Sequence, residues 1–407
     1  MSFFFLKTRT MAEYPMEPSA RGRARILAIC GSQLVVPSYL RHSFGTAATH
    51  KFGRMPGNPA EIAMLENTEE IGISSEKPRF FRDRRVSVAP MMDYTDRHCR
   101  YFLRLLSPSA LLYTEMLTSA ALVRGDGARL LTYDPAEHPV ALQLGGSDPK
   151  ELAVAAQMGE QVGYDEVNLN CGCPSDRVQS GRFGACLMGE PNLVAEAVSA
   201  MRAVVDIPVT VKCRIGIEPM PRAAADEFEF LREFIARVAS AGCDVFVIHA
   251  RKAILKGLNP KQNREIPPLK YDVVSALRAE FPQLTFVLNG GIKTVAEVQL
   301  HLQTFDGVMI GREAYQNPYL LAQLHQATVD AHWTPPDREQ VIEQYAEYVR
   351  ARLAEGHRLR SMVKHVQGLY AGMPRVRSWR RYLSEGAARP AANAELLIDA
   401  LRILQAA

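Results

Sequence analysis

Glu166-Val-Asn-Leu-Asn-Cys-Gly-Cys-Pro-Ser175 decides how the rest of the chain reads. Apolar Val167 and Leu169 alternate with Glu166, Asn168 and Asn170, which is the period of a half-buried strand. The strand runs into Cys171-Gly-Cys-Pro174, a turn with two thiols at its tip. Gly181, Gly184 and Cys186 follow, and then a helical segment from about Leu193. A thiol on the loop after a strand, with an amide just before it, is how a barrel enzyme presents a reactive side chain. Two cysteines spaced C-x-C also read as a metal half-site or a buried pair, because a free cysteine is usually a small buried hydrophobe.

Similar strands recur on both sides of this one. Val86–Ala89 is stopped by Pro90, Leu111–Thr114 ends at Glu115, and Val140–Leu144 ends in Gly145-Gly146. After the quoted stretch come Val209–Cys213, Val245–His249, Leu284–Asn289 and Gly307–Ile310. Helical stretches lie between them: from Asp96, capped by Thr95 or Asp96, from about Asp148 to Val162, over Val194 to Val204, and from about Asp226 to Ala241. Short apolar strands alternating with helices predict a parallel sheet buried on both faces. Eight in about 230 residues predict a (β/α)8 TIM barrel, which typically takes ~250. An open doubly wound sheet is the alternative, but Pro90-Met-Met-Asp93 is no Gly-rich loop after a first strand.

Bulk properties agree with a large soluble fold and exclude little else. The chain has 407 residues, 47% hydrophobic and 23% charged, with a net charge of +4. Seven cysteines, odd in number and scattered, argue against a disulfide framework and for a reducing, cytoplasmic setting. No apolar run approaches the ~20 residues of a membrane span. Residues 1–80 differ from the rest: Ser19 to Arg54 has no acidic residue but six basic ones, Arg21, Arg23, Arg25, Arg41, Lys51 and Arg54. This suits a basic tail or a mis-set start better than a transit peptide. We expect disorder there and assign it no function. The expected division is therefore 1–80, a barrel over 81–330, and a helical domain over 331–407 beyond the linker Trp333-Thr-Pro-Pro336.

In a barrel the chemistry sits at the C-terminal strand ends. Those ends read Pro90-Met91-Met92, Glu115, Gln143, Asn170 with Cys171 and Cys173, Lys212 with Arg214, His249 with Arg251, Asn289-Gly290-Gly291, and Gly311-Arg312. The bare backbone at the last two tips lets amide N–H groups approach an anion, the usual phosphate site of barrels. Lys212 is then a cation placed to stabilise an anionic reduced flavin, or a lysine solvated on the rim. Further on, Arg350, Arg352, Arg358, Arg360, Lys364, Arg375, Arg377, Arg380 and Arg381 stand against Glu355 alone, with Tyr370, Trp379 and Tyr382 interleaved. That nearly single-sign run predicts phosphate contact, with stacking on exposed bases.

Several ordered motifs carry a resemblance. Val88-Ala-Pro-Met-Met-Asp93, Asn168-Leu-Asn-Cys-Gly-Cys-Pro-Ser175, Val211-Lys-Cys-Arg214, His249-Ala-Arg-Lys252, Asn263-Arg-Glu-Ile-Pro-Pro-Leu269, Asn289-Gly-Gly-Ile292 and Val308–Tyr315 resemble the tRNA-dihydrouridine synthases. His-Ala-Arg-Lys and Asn-Arg-Glu-Ile-Pro-Pro-Leu resemble the A subfamily in particular. The resemblance runs from about Arg85 to Leu383. It implies an FMN-dependent barrel with a C-terminal helical domain, reduced by NADPH (or NADH). The implied substrate is a D-loop uridine of tRNA, at positions 20 and 20a. Flavin contacts are implied at Pro90, Met91, Met92, Gln143, Lys212, His249, Asn289, Gly290, Gly291, Gly311 and Arg312. Cys173 is the implied proton donor, and Cys171 stands where relatives are usually apolar. Contacts to tRNA are implied at Asn170, Lys261, Arg264, Arg377 and Arg380. No membrane and no obligate protein partner is implied. Two alternatives remain: a flavin barrel acting on a free pyrimidine, like the dihydroorotate dehydrogenases, and a tRNA-binding protein whose chemistry has lapsed. The basic tail weighs against the first, and Cys173, Lys212 and His249 weigh against the second.

Overall fold

The computed structural model describes residues 83–220 and 226–405. The expectation of a disordered N-terminal extension lies outside them. The barrel strands are β1 (Val86–Val88), β2 (Leu111–Tyr113), β3 (Val140–Gly145), β4 (Glu166–Cys171), β5 (Val209–Glu218), β6 (Val245–Ile254), β7 (Thr285–Asn289) and β8 (Gly307–Ile310). All pair in parallel, and β8 returns to β1 through Val88↔Ile310. Closure rules out the open doubly wound sheet. A two-residue strand, Leu117–Thr118, pairs with the end of β3.

Strand ends follow local chemistry, with one departure. β5 and β6 were expected to stop at Cys213 and His249, because Arg214 and Arg251 read as tip residues. Both strands continue, pairing Gly216↔Lys252, Ile217↔Ala253 and Glu218↔Ile254 beyond a register shift at Arg214. Ile215, Ile217 and Ala253 are buried, so the apolar alternation outlasts the arginines. Helix starts are capped as their sequences suggest. Asp96 accepts the Cys99 N–H at the head of helix Arg97–Leu106. Asp148 caps Pro149–Val162, with proline in its first turn and Gly163 in the left-handed conformation at its end.

The period of β4 has a different meaning from the one expected. All six of its residues are buried, the polar ones included. Val167, Leu169 and Cys171 pack in the large core between strands and helices. Glu166, Asn168 and Asn170 are on the opposite face of the strand and point into the barrel. Their neighbours there include a small apolar cluster of Ala89, Leu111, Tyr113, Ala141, Val247, Val287 and Met309. A barrel strand has no solvated face, so alternation here separates an apolar outer layer from a polar interior column.

Beyond residue 331 the α-helices are Arg338–Ala354, Leu359–Val363, Val376–Gly386 and Glu395–Gln405. The apolar side of Arg338–Ala354 packs on helix Arg97–Leu106, as does Leu359–Val363. Tyr101 stacks on Tyr348 at 3.9 Å between ring centres, and Phe102 meets Tyr345 edge-on at 5.3 Å. His98 Nδ1 lies 2.8 Å from the Tyr348 hydroxyl. Among the described residues no helix is long and apolar enough to cross a membrane.

Candidate active site at the barrel mouth

Strand pairing brings the expected residues together. Gln143 is opposite Asn168, Asn170 opposite Lys212, Arg214 opposite His249, and His249 opposite Asn289. These cross-strand pairs form an arc around the mouth. Lys212 Nζ donates to Asn289 Oδ1 at 3.2 Å, and Asn289 Nδ2 donates to the Met309 carbonyl at 2.7 Å. Enclosure in the mouth pushes the Lys212 ammonium down to about 8, and Arg214 adds to the effect. Burial, with Arg214, Lys212, Arg251 and Arg264, holds His249 well below the usual histidine range. The imidazole is therefore neutral and can both donate and accept.

The two thiols of the quoted stretch face different places. Cys171 is on the outer face of β4, opposite Cys213, and burial raises its thiol far above the ordinary range. Cys173 is partly exposed on the loop beyond. Its Sγ lies 3.5 Å from Ser175 Oγ. The pair thus offers neither a metal half-site nor a buried couple. Asn170 Oδ1 accepts the N–H groups of both Gly172 and Cys173 at 3.0 Å, which shapes the loop. Ala185 N–H donates to the Cys173 carbonyl at 2.9 Å. Gly184 has φ +76°, and a Cβ there would stand 2.5 Å from that carbonyl, so glycine is required. Lys212, Arg214 and Arg264 all interact electrostatically with the Cys173 sulfur.

Asn170 has a role on the loop besides the tRNA contact expected of it. It is buried, its oxygen takes two loop N–H groups, and its nitrogen donates to Gln143 Oε1 at 2.8 Å. One N–H is left for a partner in the mouth. Arg214 was visible only as a strand-tip cation. It is buried, and it donates to the carbonyls of Gly172, Lys252 and Asn263 at 3.0, 2.8 and 2.9 Å. It therefore ties the Cys173 loop to the segment carrying exposed Lys261 and Arg264. Asn263 fills the centre of that segment, donating to the carbonyls of Ile254 and Leu258. The role of Arg214 has no local signal, because its three partners are carbonyls 38 to 49 positions away.

The tips of β7 and β8 keep free backbone donors. Among the described residues, the N–H groups of Gly290, Gly291, Gly311 and Arg312 donate to no protein acceptor. Gly290 and Gly291 have φ of +120° and +74°, and nothing lies within 4 Å of a Cβ built on Gly311. Arg312 pairs with Glu265 at 2.6 Å on the rim. At the β1 tip Met91 and exposed Met92 precede Asp93, which has φ +66°. Asp93 is held by Glu115, which accepts its N–H at 2.5 Å, and by Lys364, which donates to its carbonyl at 3.0 Å.

The basic run is less uniform in space than in sequence. Arg350 pairs with Glu395 at 2.8 Å, Arg352 with Glu355 at 2.9 Å, and Lys364 with Asp96 at 3.2 Å. Two of those partners lie far outside the run. Trp379 and Tyr370 are buried and meet edge-on at 4.9 Å, so they are core and cannot stack on bases. Trp379 and Leu383 lie four residues apart on one apolar face of helix Val376–Gly386, and Tyr370, in the turn before it, packs against that face. Arg358, Arg360, Arg375, Arg377, Arg380 and Arg381 remain exposed.

Comparison with known proteins agrees with this geometry. Residues 87–405 match the model of the family described as "Dihydrouridine synthase (Dus)". A "tRNA-dihydrouridine(20/20a) synthase" of Vibrio cholerae is 57% identical over 318 residues, covering 78% of this chain and 95% of that protein. Proteins of the same description from Shewanella oneidensis and Escherichia coli K12 are 56% and 52% identical. These matches cover 79% and 86% of this chain, and 95% and 99% of the relatives. With the family model spanning the barrel and the helices after it, the chain belongs to the dihydrouridine synthase family.

Proposed function

We propose that this enzyme reduces uridine to 5,6-dihydrouridine in the D-loop of tRNA, at positions 20 and 20a. FMN is its cofactor, and NADPH (or NADH) is the reductant. The observation that carries the reading is the partly exposed Cys173 among Lys212, Arg214 and Arg264, at the same barrel mouth as two strand tips with free backbone donors. FMN fits those tips: unpartnered N–H groups, open space at Gly311 and a cation nearby suit a phosphate and an anionic ring. Gly290, Gly291, Gly311 and Arg312 would hold the phosphate, with Glu265 yielding Arg312. Pro90, Met91, Met92, Gln143, Lys212, His249 and Asn289 would surround the ring. When bound, the reduced flavin supplies hydride to carbon 6 of the uracil.

The chain's own part is to orient the base and move a proton. As hydride adds, the C5=C6 double bond opens and negative charge develops at carbon 5 and on the adjacent carbonyl oxygen. The Cys173 thiol gives carbon 5 its proton and is left as a thiolate. Asn170 keeps the Cys173 loop in register. The uridine must leave its stack to reach the mouth. Residues from 331 onward would grip the tRNA through Arg377 and Arg380, while Lys261 and Arg264 contact it at the rim. A free pyrimidine would leave those exposed arginines without use. We place the work in the cytoplasm. The test is mass spectrometry of tRNA from cells lacking this protein: uridine should persist at 20 and 20a, and full dihydrouridine there would reject the assignment.

A further inference from the structure

The barrel interior holds a line of polar side chains below the mouth, of which the chemistry above uses only the upper end. Asn170 Nδ2 donates to Gln143 Oε1, Gln143 Nε2 to Asn168 Oδ1, and Asn168 Nδ2 to Thr210 Oγ1, each at 2.8 Å. The Thr210 hydroxyl donates to Glu166 Oε1 at 2.6 Å, and the Tyr113 hydroxyl donates to the same oxygen at 2.7 Å. Arg84 meets the other Glu166 oxygen at 2.6 Å. All seven side chains are buried.

The direction of every donor in this line is set by its ends. At the top, the Gly172 and Cys173 N–H groups can only donate, and both donate to Asn170 Oδ1. At the bottom, the Glu166 carboxylate accepts from two hydroxyls and is ion-paired with Arg84. No amide between them can turn over alone. A turned Asn168 would aim its N–H groups at the Gln143 N–H. Turning Gln143 to suit would then collide with Asn170, and turning Asn170 would aim N–H groups at the loop N–H groups. Such lines are cooperative, and leaving one buried member unsatisfied is costly. We propose that Glu166, Thr210 and Asn168 are positioning residues. Through Gln143 they hold the Asn170 amide with its oxygen toward the loop, and so fix the loop that carries Cys173. This rests on the reading of Cys173 as proton donor.

The test uses the full-length, FMN-loaded protein with Thr210→Val and Thr210→Ser. One readout is the rate of alkylation of Cys173 by iodoacetamide, followed by peptide mass spectrometry, with partly exposed Cys186 as internal reference. The second is single-turnover dihydrouridine formation by prereduced enzyme at saturating tRNA, beside the rate of flavin reduction by NADPH. Thr210→Val should change Cys173 alkylation several-fold and leave Cys186 as it was. It should also slow the tRNA step by ~10-fold, the worth of one buried hydrogen bond, with the NADPH step unchanged. Thr210→Ser should restore both. If Thr210→Val only lowers thermal stability, with both readouts as in the parent, the chain is structural and the proposal fails. Should that variant not fold, Glu166→Gln, which sets an amide against Arg84, must give the same two changes or the proposal fails. Full turnover by Cys173→Ala would reject the donor assignment, while the alkylation contrast would still judge the chain.

Discussion

At the scale of single residues, the two cysteines of one short turn differ by two positions and by everything chemical. An odd step along a strand reverses the face, so Cys171 joins the outer core. The loop beyond then carries Cys173 to the mouth. Cys173→Ala is expected to keep flavin content and NADPH-driven flavin reduction but lower dihydrouridine formation by ~10²-fold or more, measured in single turnover. Cys171→Ala leaves a small cavity and should cost ~1 kcal/mol of stability with activity kept. Lys212 gives a pH dependence. Its folded value near 8 lies below the ordinary 10.5, so the ammonium is present below about 8 and lost as pH rises through it. Affinity of the flavin-free protein for FMN, followed by fluorescence quenching, should fall above that point by at most about tenfold per pH unit. Lys212→Met should weaken binding and remove the step.

Among the elements, helix Val376–Gly386 shows both sides of its own sequence. Trp379 and Leu383 turn inward, and Arg377, Arg380 and Arg381 turn to solvent. Arg377 and Arg380 lie i, i+3 on the exposed face and can contact neighbouring phosphates together. Replacing both by alanine should weaken tRNA binding and reduce the slope of log K against log salt by roughly 1.5, read from filter binding across salt. An equal loss from Arg350→Ala is not expected, because Arg350 is spent on Glu395. The interleaved aromatics were misleading for a physical reason: the same spacing serves a base-stacking face and an amphipathic helix, and only the neighbours decide.

For the whole molecule, the joint between helix Arg97–Leu106 and the C-terminal helices is held by titratable groups. Burial opposes ionisation of Asp96, but His365, the Cys99 N–H and Lys364 together keep it well below the usual carboxylate range. Burial, helped by His357 and Arg97 and opposed by Asp96, pushes His98 down to about 4. A histidine held neutral in the fold stabilises it above its ordinary value and loses that contribution as pH falls. The joint should therefore weaken between about 6.5 and 4, by up to roughly 2 kcal/mol at pH 5. Lower protection factors in Arg338–Ala354 at pH 5 than at pH 7, after correction for the intrinsic exchange rate at each pH, would show it, and His98→Gln should flatten the difference.

The barrel, its strand count and most tip residues were legible because they follow from local rules: apolar runs of strand length, capping residues, glycines at tips. The helical segment after Trp333 was legible for the same reason. The alternation of β4 showed that it has two faces, but period alone does not say which face is wet, and closure of the sheet left neither so. Closure also separated Cys173 from Cys171 and turned Glu166, Asn168 and Thr210 into one line with the Cys173 loop. It brought Arg214 to three distant carbonyls and gave Glu395 and Asp96 to cations that looked free. Those outcomes depend on contacts between residues tens to hundreds of positions apart, which the folded chain alone brings within hydrogen-bond reach.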